Sequence, residues 1–173
     1  AREWETGTME QLISTPVRAP ELILGKLLPY LAIGLIDLAI AVSMTVFLFD
    51  VPLRGSVLLL FGVGTVFIVA TLAQGILIST ITRQQLLASQ VAMIATFLPA
   101  FLLSGFAFAI ANMPVVVRGI TYIVPARYFV AIVKGIFLRG TGLTILWGDA
   151  LCLLGFAGLM LALAIARTRK RLA

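Results

Sequence analysis

Residues 56–79 read SVLLLFGVGTVFIVATLAQGILIS. The stretch contains no charged side chain, and it is longer than the roughly 20 apolar residues that a helix needs to cross a lipid bilayer. Apolar helices in the cores of soluble proteins are usually shorter. The stretch therefore predicts a membrane-spanning helix, and it places the chain among membrane proteins rather than soluble globular ones.

The composition of the whole chain supports the same class. Of its 173 residues, 61% are hydrophobic and 12% are charged, whereas soluble domains have about 45–50% apolar and about 25% charged residues. Three further apolar stretches are long enough to span. We predict an all-α membrane bundle that forms a single transmembrane domain over residues 1–173. Its four spans are expected at 29–49, 56–79, 89–108 and 143–166.

Residues 109–142 form a mixed segment between the third and fourth predicted spans. Their apolar runs are too short to cross a bilayer, and Pro114 and Pro125 interrupt them. Proline ends or bends a helix because it lacks a backbone donor and clashes with the preceding turn. We predict a pair of short helices, broken at Pro125, that re-enters the outer face of the membrane or lies along it.

Residues 1–28 are polar and are predicted to form a cytoplasmic segment. Apolar side chains recur there at helical spacing, which indicates a short amphipathic helix of about two turns: Met9, Leu12, Ile13, Pro16 and Val17. Helices that lie on lipid usually carry Lys or Arg on their polar face. This segment carries acidic residues instead, so docking on a protein partner is favoured over lying on lipid: Glu3, Glu5 and Glu10.

The distribution of Lys and Arg indicates the orientation. If both ends are cytoplasmic, eight basic residues lie on the cytoplasmic side and five on the other, as the positive-inside rule prefers. The basic tail at 167–173 suits anionic lipid headgroups. We therefore interpret the net charge of +6 as a membrane feature and expect no nucleic-acid partner.

Catalytic and metal sites are not expected. The chain has no histidine and a single cysteine, Cys152, which argues against a zinc site and excludes a Ser–His–Asp triad. The glycines of GVGTVF lack the Gly-Lys-Ser/Thr ending of a phosphate-binding loop. The sequence also lacks an initial Met, which we interpret as a sign that it is part of a longer protein.

Asp37 is the most distinctive residue inside a predicted span. A carboxylate at a helix centre costs about 2.5–3.5 kcal/mol on insertion scales, so it is expected to face the bundle interior or water. Its role is either in a translocation path, which Thr45 and Gln74 would also line, or in a structural hydrogen bond to a neighbouring helix. Small residues in the second and last spans indicate close helix packing: Gly64, Thr71, Gly75 and Ser79, and Gly155, Gly158, Ala162 and Ala166.

The N-terminal segment REWETGTMEQLISTPVRAPELILGKLLPY resembles the cytoplasmic loop of ABC-2 type exporter permeases. The matching residues are Arg2, Glu3, Gly7, Thr8, Met9, Glu10, Thr15, Pro16, Glu21, Gly25, Lys26, Pro29 and Tyr30. Trp4 departs from the pattern, because family members often have a charged residue there. VPLRGS, LISTITRQQ, LLSGFAFAIANMP and YIVPARYFVAIVKGIFLRG resemble later parts of these permeases, so the resemblance covers essentially the whole chain.

The resemblance implies the membrane subunit of a bacterial inner-membrane exporter that is driven by a separate ATPase subunit. This chain would bind no cofactor, since ATP and Mg²⁺ belong to the partner, and a second permease copy or a paralogue would pair with it in the bilayer. Two spans before the first would be missing. The residues implied to couple to the ATPase are Arg2, Glu3, Gly7, Thr8, Met9, Glu10, Leu12, Pro16, Glu21 and Lys26. Those implied for the re-entrant segment are Pro125, Arg127 and Tyr128.

Two other functional classes remain open on the residues alone. One is a channel or anchoring protein without a motor, and the other is a membrane-embedded enzyme, which the lack of histidine and of clustered acidic residues disfavours. Stoichiometric binding of an ATPase subunit would separate the exporter from the motorless protein. The sequence does not indicate the substrate.

Overall fold

The computed structural model describes residues Glu5, Gly7, Thr8, 19–82 and 84–172. Across these ranges the regular structure is helical, without a strand. Four helices are long and apolar enough to cross a membrane: Pro20–Phe47, Val57–Thr82, Gln85–Leu103 and Ile145–Thr168. The predicted helical membrane bundle with four spans is confirmed.

Seven α-helices lie within residues 19–82 and 84–172. They are α1 (Ala19–Phe47), α2 (Val57–Thr82), α3 (Gln85–Ala92), α4 (Leu98–Leu103), α5 (Val115–Ile120), α6 (Pro125–Lys134) and α7 (Leu143–Leu172). A π-helical turn at Met93–Phe97 joins α3 to α4 as one span, and a second at Gly135–Arg139 extends α6. Single 3-10 turns occur at Ile110–Asn112 and Thr121–Ile123.

α1 is one continuous helix of 29 residues. It begins next to Pro20, which suits a first helical turn because its missing N–H has no intrahelical partner there in any case. Glu21 lies in the same turn and complements the positive end of the helix dipole. The helix also includes Pro29, so the end of the segment predicted to be cytoplasmic and the first span belong to a single element.

Glycine lets α1 and α2 approach closely. A Cβ at Gly34 would lie 2.9 Å from the Ile68 side chain, and a Cβ at Gly64 would overlap the side chain of Leu38. The prediction of close packing is therefore confirmed for Gly64. For three other predicted packing glycines an added Cβ would meet nothing within 4 Å in the described chain, so no close approach to another described helix depends on them: Gly75, Gly155 and Gly158.

The third span ends earlier than its apolar pattern suggests. The hydropathy runs on to Phe108, but the helix ends at Leu103. Gly105 has a φ of +81°, a left-handed conformation that commonly ends helices. The Ser104 hydroxyl accepts a hydrogen bond from the Phe106 N–H at 3.3 Å, which stabilises the turn.

A bent helix pair lies between the third and fourth spans. Val115–Ile123 and Pro125–Arg139 meet at 90°. Val124 is extended, with φ −88° and ψ 113°, and Pro125 is the first residue of α6. A residue before proline is driven out of the helical region by the proline ring, so the predicted break at Pro125 is confirmed and has a local cause.

Two buried clusters hold the bundle together. The larger joins α2 to α6 and α7 and contains Leu60, Val63, Ile132, Ile136, Phe137, Leu146 and Leu153. The smaller joins the first turns of α1 to the far half of α7 and contains Ile23, Leu27 and Ala164. The second helix of the bent pair, α6 with its π-helical extension, is therefore packed into the bundle.

Candidate functional site

A cavity of about 320 Å³ lies between α2, the third span, the re-entrant pair and α7. Its α2 wall consists of Phe67, Thr71 and Gln74, which follow the i, i+4, i+7 spacing of one helix face. Gln74, predicted as a path residue, therefore lines this cavity. Its Oε1 atom is buried and has no hydrogen-bond partner.

The third span contributes its irregular part to the cavity. Ala95 and Thr96 lie in the π-helical turn, and Pro99 follows in the next turn. Proline provides no backbone donor, and π-helical turns occur often at functional sites. The sequence signal for this wall was Pro99. Thr96 was missed because it stands alone in an apolar run.

The re-entrant pair closes one end of the cavity with Val124, Pro125 and Ala126. Polar contacts hold this end together. The Arg127 guanidinium lies over the Tyr122 ring, 3.7 Å from its centroid, and donates to the Thr121 hydroxyl. The Thr121 hydroxyl in turn donates to the Arg118 carbonyl at 2.8 Å.

Tyr128 adds a second link across the bend, because its hydroxyl donates to the Tyr122 carbonyl at 2.8 Å. The three residues implied for this segment, Pro125, Arg127 and Tyr128, are thus neighbours around one bend. Their contacts fix the angle between α5 and α6. The partners Thr121 and Tyr122 were not identified from the sequence, because a 3-10 turn brings them to the arginine.

Two contacts connect the re-entrant pair to the spans beside it. The Lys134 ammonium donates to the Gly105 carbonyl at 2.7 Å, which ties α6 to the end of the third span. The rings of Phe67 on α2 and Phe129 on α6 stack at 4.3 Å with an interplanar angle of 3°. Movement of either span would therefore act on the re-entrant pair.

Asp37 and Thr45 do not share the cavity with Gln74. Asp37 is exposed on α1 in the described chain, so it does not face the interior formed by the described helices, and its expected place toward a bundle interior or water stays a prediction. The Thr45 hydroxyl donates to the carbonyl of Ala41, one turn earlier, at 2.8 Å. The three predicted path residues therefore occupy two separate surfaces.

The predicted coupling segment is described only in part. Arg2, Glu3, Met9, Glu10, Leu12 and Pro16 lie outside the described residues. Gly7 has a φ of +72°, and Glu21 and Lys26 lie at the start of α1. Glu5, which was noted only for its charge, accepts a hydrogen bond from the Gln85 N–H at 2.7 Å, so the segment before α1 contacts the first residue of α3.

Comparison with known proteins gives a consistent family. The model of the ABC-2 family transporter proteins matches residues 1–166. The chain is 46% identical, over 172 residues, to the probable multidrug ABC transporter permease YbhS of Escherichia coli (strain K12), covering 99% of this chain and 46% of that protein.

Two further Escherichia coli (strain K12) proteins are similar at 32% identity. The probable multidrug ABC transporter permease YbhR aligns over 152 residues, 86% of this chain and 40% of that protein. The inner membrane transport permease YhhJ aligns over 176 residues, 98% of this chain and 45% of that protein. The chain spans about half the length of these relatives. No solved structure matches it.

Proposed function

The chain belongs to the ABC-2 family of transporter proteins, and from this membership we propose that it forms part of the permease subunit of an ATP-driven exporter. The observation that carries the proposal is the family match over residues 1–166. It is supported by relatives whose names describe multidrug ABC transporter permeases. On this proposal the permease is a multi-pass protein of the inner membrane, with both ends of this chain cytoplasmic.

On this proposal, the ATPase acts on the permease through the segment before α1. The segment at Gly7–Pro16 docks in a groove of a separate ATPase subunit, which binds ATP and Mg²⁺ and performs the hydrolysis. The contact between Glu5 and Gln85 supports a route from that segment to the third span. Displacement of the docked segment then pulls or releases the start of α3 as well as α1.

The third span passes this movement outward. Its outer end is tied to α6 by Lys134 and Gly105, and its π-helical turn and Pro99 form a wall of the cavity. A shift of the third span therefore changes both the cavity and the re-entrant pair. Substrate passes beside Gln74 in this account.

A second permease copy, or a paralogue, completes the membrane unit. Asp37 lies exposed on α1 among apolar neighbours, and a carboxylate facing lipid is costly. We propose that this face of α1 meets another protein surface, with Thr45 nearby, and that Asp37 borders the path there. Ion-pairing or hydrogen bonding across that contact relieves the cost of the carboxylate.

Transport by the full-length permease tests the proposal. The permease and its candidate ATPase are produced together, and a fluorescent drug is added to the medium around inside-out membrane vesicles. The proposal expects uptake that needs ATP, stops with a non-hydrolysable ATP analogue and is lost when the ATPase is omitted. Uptake that is equal without the ATPase would favour a motorless channel and contradict the proposal.

A further inference from the structure

The amide oxygen of Gln74 is a buried acceptor without a donor in the described structure. A polar atom buried without a hydrogen bond is costly, so such groups usually have a partner. The hydroxyl of Thr71, which lines the same cavity, is already engaged, because it donates to the carbonyls of Phe67 and Ile68 at 3.1 and 3.0 Å. A molecule that enters the cavity lined by Gln74 is one source of the missing donor.

The other residues that line the cavity indicate the polarity and charge of that molecule. Its walls include the rings of Phe67 and Phe156, the Met160 side chain and the prolines Pro99 and Pro125. None of the residues that line it, all within the described ranges, is charged. Burying an ion without a counter-charge is far more costly than burying a hydroxyl or an amide, so the cavity selects against charged molecules.

Size and shape agree with a small organic molecule. The volume of about 320 Å³ lies at the lower end of the range for ligand pockets, about 300–1,000 Å³. Such pockets are mostly apolar and fix orientation with a few polar groups. Here the flat rings provide the apolar surface, and Gln74 provides the acceptor.

We propose that this cavity is a substrate site for neutral, mainly apolar molecules that carry one hydroxyl or N–H donor, with the donor bonded to Gln74 Oε1. The assignment of the bound molecule as substrate rests on the proposed transport function. The binding itself does not, since it needs no ATPase. The opposing possibility is that water alone satisfies Gln74, which buried polar groups often achieve.

Binding is measured on the full-length permease in lipid nanodiscs, without any ATPase. The probes are 1-pyrenemethanol and its methyl ether, two neutral aromatic molecules that differ in whether they offer an O–H donor. Their fluorescence change is titrated, and the signal from empty nanodiscs is subtracted to remove partition into lipid. A third probe, the pyrenylmethyl trimethylammonium ion, tests the selection against charge.

Three variants separate the contributions of the Gln74 acceptor and of the cavity volume to binding. Gln74→Leu keeps the approximate size and removes the acceptor. Gln90→Leu is the matched control, because it makes the same chemical change on α3 at an exposed position outside the cavity. Ala100→Phe places a ring in the cavity wall and reduces its volume.

The proposal expects wild type and Gln90→Leu to bind the alcohol about tenfold more tightly than the ether, the effect of one neutral hydrogen bond. Gln74→Leu is expected to bind both equally, at the affinity of the ether, which also shows that this variant is folded. Ala100→Phe is expected to weaken both neutral probes. The cation is expected to bind at least tenfold more weakly than the alcohol.

Three results would overturn the proposal: binding no greater than in empty nanodiscs, an alcohol preference that persists in Gln74→Leu, or equal losses for both probes in Gln74→Leu. The first two leave water as the partner of Gln74. None of these results bears on coupling to an ATPase. Conversely, transport without ATP would contradict the exporter proposal and leave this binding result intact.

Discussion

The Glu5 carboxylate accepts a hydrogen bond from the backbone N–H of Gln85 at 2.7 Å, across a sequence separation of 80 residues. Gln85 is the first residue of α3, and no side chain of the preceding residue caps this helix. The first backbone N–H groups of a helix lack intrahelical partners and favour an acceptor with negative charge. Glu5 therefore supplies, from a distant segment, the charged acceptor that the local sequence lacks at this helix N-terminus.

Under the proposed function, loss of the Glu5 charge is predicted to weaken coupling between the candidate ATPase and the third span. In Glu5→Gln the charge is removed while an acceptor remains, and in Glu5→Ala both are removed. A carboxylate at an exposed helix N-terminus contributes about 0.3–1 kcal/mol, so we expect drug-stimulated ATP hydrolysis to fall about two- to fivefold, more in Glu5→Ala. The measurement uses the reconstituted full-length permease with its ATPase.

Asp50→Asn provides the control for this prediction. Asp50 lies in the turn between α1 and α2, at the opposite end of α1, and its φ of +49° is tolerated by asparagine. Removal of this carboxylate is expected to leave stimulated hydrolysis unchanged. Equal losses in the Glu5 and Asp50 variants would mean that the contact at Gln85 has no special part in coupling.

Arg127→Lys is predicted to destabilise the re-entrant pair although it conserves the charge. Lysine lacks the planar guanidinium that covers the Tyr122 ring and reaches the Thr121 hydroxyl, and the two residues are not equivalent at stacked sites. The lost contacts together are worth about 1–2 kcal/mol. The loss is measured as a lower temperature of aggregation of the purified permease in detergent.

The same substitution at Arg118 tests whether the loss of stability is specific to the contacts that Arg127 makes. Arg118 is exposed on α5, and its backbone carbonyl accepts the hydrogen bond from the Thr121 hydroxyl. A change of its side chain leaves this acceptor in place. Arg118→Lys is expected to leave the aggregation temperature unchanged. If both variants lose the same stability, the cation–π contact does not account for the effect at Arg127.

Gly55→Ala is predicted to be destabilising, whereas Gly62→Ala is not. A Cβ at Gly55 would lie 2.9 Å from the backbone oxygen of Ile136, where no side-chain rotation can relieve the overlap. Forced overpacking costs about 1–3 kcal/mol. At Gly62, on α2, an added Cβ meets nothing within 4 Å, and alanine favours the helix by about 1 kcal/mol.

The two glycine variants are compared by thermal aggregation and by the amount of permease in the membrane. Unchanged behaviour of Gly55→Ala would mean that the turn before α2 does not press against the end of the re-entrant segment. A loss at Gly62 instead would indicate that this face of α2 packs against a surface outside the described chain.

Local features of the sequence were sufficient to predict much of the fold. Uninterrupted apolar length predicts the spans, because every backbone polar group in lipid must be bonded within its own helix. The break at Pro125 also followed from one residue, since the proline ring constrains Val124 directly. Both predictions depend on neighbours in the chain and not on tertiary contacts.

The faces of the helices were harder to predict. α1 and α2 are apolar all round, so hydrophobicity does not distinguish the lipid side from the bundle side, as it does in soluble proteins. The surface that Asp37 faces could therefore not be chosen from the sequence, and the residue is exposed on α1 in the described chain. The contacts of Lys134 with Gly105 and of Glu5 with Gln85 join distant segments, and only the fold brings them together.

Gln74 was selected because a polar side chain in an apolar run is unusual. Its place in an internal cavity could not be predicted, because the cavity depends on a π-helical turn, a bend and two other helices. The end of the third span could not be predicted either. Its apolar pattern continues to Phe108, but a left-handed glycine ends the helix after Leu103.

The central claim is that a separate ATPase binds the segment at Gly7–Pro16. The most direct measurement is co-purification of the full-length permease with its candidate ATPase, with ATP hydrolysis measured on the product. Glu10→Lys and Met9→Asp are compared with wild type, and Asp50→Lys, on the turn between α1 and α2, is the control for reversed charge. The account predicts that both segment variants remain in the membrane but lose the ATPase and its stimulated hydrolysis, while Asp50→Lys retains both. Stoichiometric ATPase and full stimulation in both segment variants would contradict it.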